Sequence, residues 1–226
     1  MGINPVPLYR LTRHLLYQGL LYQGLLCQRL LCKSLATCCL LIFCTDLWAK
    51  TDTSAASTAP KPRIIITTTH GDIEVELAPE KAPLTVRNFL QYADRNYYDG
   101  TIFHRVIQGF LIQAGGFDHK LNAFEPGQPV VNESVGGLPN IKGSVAMARG
   151  HDPDSARAEF FINLKHNRNF DAKYGNPGYT VFGQVVSGMA VVQSIATSEV
   201  EKYNHQFIHW PVEDITIIGI RRSPAQ

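Results

Sequence analysis

From Arg63 to Ile220 the chain is a series of short apolar runs, most of them set beside a glycine. Arg63–Thr69 is β-branched, His70-Gly71 reads as a turn, and Asp72–Leu77 alternates polar with apolar residues. That pattern is a hairpin with one wet face. Thr101–Ile107, Phe110–Ala114, Ser144–Ala148, Glu159–Leu164 and Tyr179–Val186 follow as further runs, and Pro211–Ile220 closes as a strand. Only two stretches have helical spacing. In Ala82–Ala93, Pro83 stands near the start and Val86, Phe89, Leu90 and Ala93 share one face; Met189–Ala196 is the second. Many short strands with turn signals and two helices predict a mainly β fold, a closed antiparallel β-barrel capped by two α-helices. The Gly115–Lys142 stretch is a long loop rich in Gly, Pro and Asn. Loops of that length are more often functional than filler.

The residues before this barrel are chemically different. All five cysteines lie between Cys27 and Cys44. Residues 1–49 hold Arg10, Arg13, Arg29 and Lys33 against Asp46, so they carry +3 of a whole-chain net charge of +2. The rest is therefore slightly acidic, and no basic surface argues for a nucleic-acid partner. A leucine pair recurs every five residues from Leu15, a period that fits neither a helix face nor a strand. Arg29 and Lys33 precede the apolar run Leu35–Cys44, which is too short to span a bilayer and fits the core of a signal peptide. Residues 1–49 are thus expected to be a leader, with Ala49 as the cleavage residue, Ala55 and Ala56 as the fallback positions, and export to the periplasm as the outcome. The alternative is an uncleaved leader that tethers the protein to the inner membrane, facing the periplasm. Residues 50–62 read as a flexible linker and 63–223 as one domain. At 45% hydrophobic and 18% charged, the composition excludes a disordered chain and a polytopic membrane protein.

Four blocks carry the chemistry: Phe103–Phe117 (FHRVIQGFLIQAGGF), Gly143–Arg149 (GSVAMAR), Phe160–Asn163 (FFIN) and Tyr179–Gly183 (YTVFG). In this order and spacing they resemble the cyclophilins, a family of peptidyl-prolyl cis-trans isomerases. The resemblance covers roughly Arg63 to Arg221, and its wording is similar to the family's bacterial branch. It implies an eight-stranded barrel and an isomerase that speeds the folding of exported proteins, as a folding catalyst or chaperone. The expected partners are unfolded, proline-containing polypeptides; no cofactor or metal is implied, and nothing in the chain forces assembly beyond a monomer.

The reaction makes these residue types intelligible. Amide resonance sets a barrier of ~18–20 kcal/mol to rotation about a prolyl peptide bond. No bond is made or broken, so a nucleophile or metal is unnecessary. An apolar slot can grip the proline ring, polar anchors can hold the flanking backbone, and a fixed donor can favour the twisted amide, whose nitrogen has become basic. Arg105, always charged and multidentate, suits the donor role. The resemblance makes Arg105, Phe110 and Gln113 catalytic. It puts Leu111, Met147, Ala148, Arg149, Phe161, Phe170 and Tyr179 against the substrate, with Glu159 at the pocket rim where the family commonly has glutamine. Asn169 falls where a tryptophan or phenylalanine is usual, which leaves the apolar wall to Phe170 and puts tight cyclosporin binding in doubt. Phe103, Phe160 and Phe182 are expected in the core, and His104 as a structural histidine beside the site. His205 and His209 have metal-ligand spacing only on a helix, and Gln206–Pro211 does not read as one. Asn132-Glu-Ser134 matches a glycosylation sequon that has no meaning in a bacterium. The competing function is a proline-peptide binding or chaperone module with weak catalysis.

Overall fold

The computed structural model describes residues 61–205 and 207–224. The expected leader, and the linker apart from Lys61 and Pro62, lie outside the described residues. The β-branched run forms β1 (Arg63–Thr68), and β2 (Gly71–Leu77) returns beside it through the His70-Gly71 turn. The remaining strands are β3 (Arg105–Ile107), β4 (Leu111–Ala114), β5 (Ser144–Met147), β6 (Phe160–Asn163), β7 (Val181–Ser187), β8 (Val200–Glu201), β9 (Trp210–Pro211) and β10 (Ile217–Arg222). Eight of them make one antiparallel sheet in the order β10-β1-β2-β7-β5-β6-β4-β3; β8 and β9 pair separately.

The two edges of the large sheet, β10 and β3, do not share a ladder. Chain just ahead of each joins them instead: Ile102 bridges Thr216, Phe103 N donates to Ile215 O at 2.9 Å, and Ile217 N donates to Thr101 O at 2.7 Å. The expected closed barrel is thus a curled sheet with a short seam. The single closing strand expected over Pro211–Ile220 is two elements, because Pro211 ends β9 and the ladder to β1 starts at Ile217.

Helix α1 (Pro83–Asp94) buries Val86, Phe89, Leu90 and Ala93, as its spacing predicts. Phe89 is fully buried among Tyr98, Phe160 and Phe182, with ring centroids 5.1, 5.5 and 4.8 Å away. The first turn of α1 has no cap of its own, because Ala82 offers no side-chain acceptor. Glu133, far along the long loop, supplies one: its carboxylate accepts from Leu84 N at 3.0 Å, and from Thr85 N and Oγ1 at 2.8 and 2.7 Å. A negative group there also suits the positive end of the helix. Helix α2 (Met189–Ala196) starts at Gly188, which holds φ +83 against the Asp72 backbone. Phe103, Phe160 and Phe182 are all core residues with no exposure.

Candidate active site

Strands β4, β5, β6 and β7 are neighbours and are apolar on both faces. Period-two alternation sends Ile112, Ala114, Val145, Met147, Phe160, Ile162 and Phe182 into the barrel core. It turns Leu111, Ala146, Phe161 and Val181 to the outside, where they form a second, separate apolar cluster. Phe110, Leu138, Ala148, Phe170 and Tyr179 pack over that cluster and bury it. The aromatic rings meet at short range: Phe161 lies 5.6 Å from Phe170 and 5.5 Å from Tyr179, and Phe170 lies 4.6 Å from Tyr179. Phe110 sits at the edge, 5.3 Å from Phe170.

A line of polar groups runs along one border of this patch. Arg105 and Gln113 are directly opposite on the β3–β4 ladder. Arg105 Nη1 donates to Gln113 Oε1 at 3.3 Å, and Gln113 Nε2 donates to Glu159 Oε2 at 2.7 Å. His104 Nε2 lies 3.4 Å from the same oxygen. The orientation of the Gln113 amide is forced from both ends, since a guanidinium only donates and a carboxylate only accepts. Burial pushes the Glu159 carboxyl upward, but the His104 bond and charge, with the Gln113 amide, outweigh it and hold the group below the ordinary carboxylate range. His104 is buried, with its ring 5.0 Å from Phe117 and 6.3 Å from Phe207.

Patch and polar line share one cleft of about 320 Å³. Of the residues singled out in the sequence, Arg105, Leu111, Gln113, Ala148, Arg149, Glu159, Phe161, Phe170 and Tyr179 all line it. Phe110 does not line it; its ring packs on Phe170, 5.3 Å between centroids. Met147 is a correction: its side chain is in the barrel core, and the outward position on β5 belongs to Ala146. Ser144–Met147 is buried at every residue, so the run itself carries no period from which to read the facing. The Arg149 guanidinium is occupied, donating to the carbonyls of Gly150, His151, Pro177 and Gly178 and lying 4.8 Å over the Tyr179 ring. Asn169 adds no apolar surface; Lys173 Nζ donates to its Oδ1 at 3.4 Å.

Two features went unread in the sequence. Phe117, Phe207, Ile208 and His209 also line the cleft, on the side of His104 and Arg105. Only Phe117 belongs to a recognisable block, and the other three come from a distant segment. The second feature is a buried amide cluster. Asn163 Nδ2 donates to Asn140 Oδ1 and Ser144 Oγ at 3.1 and 2.9 Å, and Asn167 Nδ2 donates to Asn163 Oδ1 and Phe110 O at 2.7 and 3.1 Å. Asn167 precedes the 3₁₀ turn Arg168–Phe170, so the cluster ties Phe170 and Phe110 to β6. Among the described residues no group of three or more His, Cys, Asp or Glu side chains is gathered to hold a metal ion, and no helix is long and apolar enough to cross a membrane.

Residues 63–222 match the family model described as cyclophilin type peptidyl-prolyl cis-trans isomerase/CLD. A peptidyl-prolyl cis-trans isomerase of Acinetobacter baylyi is 43% identical over 152 residues, 67% of this chain and 80% of that protein. Peptidyl-prolyl cis-trans isomerase B of Escherichia coli is 44% identical over 160 residues, 69% of this chain and 96% of that protein. The crystal structure of a Cryptosporidium parvum cyclophilin type isomerase in the presence of the dipeptide Ala-Pro superposes with a TM-score of 0.58 at 26% identity, covering 70% of this chain and 96% of that one.

Proposed function

This chain belongs to the cyclophilin-type peptidyl-prolyl cis-trans isomerases, and on that premise we propose how its cleft turns an X-Pro bond. The activity is isomerisation of prolyl peptide bonds in polypeptides. In the proposed mechanism the proline ring enters the apolar patch of Leu111, Phe161 and Phe170, with Phe110 at the margin. Burying the ring there fixes one side of the bond. Ala148 and Arg149 run beside the peptide; because the Arg149 guanidinium is spent on carbonyls, it offers the peptide its backbone. Gln113 has a second amide hydrogen for the substrate backbone.

Arg105 does the chemistry. As the amide twists, resonance is lost and the nitrogen lone pair becomes an acceptor. A guanidinium hydrogen aimed at it lowers the barrier, because that bond exists only in the twisted state. The observation that carries this reading is the Arg105–Gln113–Glu159 line, which holds the guanidinium beside the apolar patch without using all five of its donors. Exchange measured by NMR on an Ala-Pro peptide should be accelerated by the full chain and fall about 100-fold with Arg105→Ala. Equal rates in the two proteins would overturn the catalytic role and leave a proline-peptide binding module. Export to the periplasm and exported clients belong to the same proposal. They are supported by the apolar run before Ala49 and by a cysteine-free remainder, which suits an oxidising compartment.

A further inference from the structure

One side of the cleft has no role in the mechanism above. Phe207, Ile208 and His209 line it beside Arg105. They sit in a small hairpin in which Val200 pairs with Pro211 and Glu201 with Trp210. Its turn is closed by Tyr203 N donating to Phe207 O, and by Phe207 N donating to Asn204 Oδ1, both at 2.9 Å. Val106 N donates to His209 O at 2.9 Å, which stitches the hairpin to the strand that carries Arg105. Aromatic rings support it from below: Phe207 lies 5.1 Å from Phe117 and 5.3 Å from Trp210, and Tyr203 lies 5.6 Å from Trp210. On this base Ile208 stands 51% exposed.

A lone exposed isoleucine is ordinary on a protein surface. This one lines the same cleft as Arg105 and the apolar patch. We propose that Ile208 is a specificity-determining residue: the 200–211 hairpin is a second apolar wall, which takes an apolar side chain flanking the proline of the bound polypeptide. The proposal rests on the Arg105-centred reading of the cleft. A proline segment in an unfolded client exposes just such neighbours. About half of the Ile208 surface stays open in the free protein, so covering it with a client side chain is a gain made only on binding.

NMR exchange on X-Pro peptides tests this, because it accepts any flanking sequence. The panel replaces one residue at a time, on either side of the proline, by leucine or serine. With the full-length wild-type chain, leucine should outperform serine at one flanking position. Ile208→Ser should cut that preference about fivefold, chiefly by slowing the leucine peptide, and Ile208→Leu should keep it. An unaltered preference in Ile208→Ser, or an equal loss on every peptide, would overturn the proposal. Arg105→Ala on the same panel separates the two ideas: if its rates equal wild type, the catalytic reading fails whatever Ile208 does.

Discussion

Glu159 is the residue at which this chain departs most sharply in charge from its resemblance, and its surroundings explain how an acid is tolerated there. One oxygen takes both Gln113 and His104, and Gly116 leaves room for the carboxylate, since a Cβ at that position would stand 2.5 Å from Glu159 Oε1. A carboxyl held below its ordinary value of 4.5 adds stability above that pH and loses it as pH falls through the lowered value. Thermal melts between pH 6 and pH 3 should therefore show a steeper acid loss in wild type than in Glu159→Gln. Parallel curves would mean that the His104 and Gln113 contacts do not favour the charged form. The sequence blocks supply the context that brings Arg105, Leu111 and Phe161 to one cleft. That context fails at Met147, where an uninterrupted apolar run hides which side chain faces which cluster.

At the scale of elements, the Phe170 wall depends on groups that no periodicity marks. Asn163 is fully buried and bonded to Asn140, Ser144 and Asn167, so Asn163→Ala should cost about 2–3 kcal/mol by leaving partners unsatisfied. Urea unfolding measures that loss, and kcat/KM should fall with it as Phe170 and Phe110 loosen. Gly178 sets the other limit, because a Cβ there would run into the backbone of Phe170 and Asp171. Gly178→Ala should therefore shift the 168–171 turn and cost at least about 2 kcal/mol; a wild-type melting temperature would refute the close packing. The first hairpin and both helices were legible because their periods and turn residues are local, and the inner strands because they are short apolar runs beside glycines. The β8–β9 hairpin was not, since its partner surface on β3 and Phe117 is distant in sequence and its own residues mix aromatic, polar and charged types.

At the scale of the whole molecule, the described residues hold two apolar clusters on opposite faces of one sheet, and they do different jobs. Phe89 sits in the inner one, so Phe89→Ala should cost about 3–5 kcal/mol and lower the melting temperature steeply. Truncating Phe161 in the outer cluster should act mainly on kcat/KM, with a smaller effect on stability. This division is why strands buried on both sides appear in the sequence as continuous apolar runs, and why the barrel was readable while the orientation of its site was not. The Glu133 clamp has a consequence in time. The first turn of α1 closes only when the long loop comes back to it, so loop opening and fraying of that turn form one cooperative event. Hydrogen exchange at Thr85 N should then report on the loop, and Glu133→Gln, by weakening the clamp, should speed it while leaving Leu90 slow.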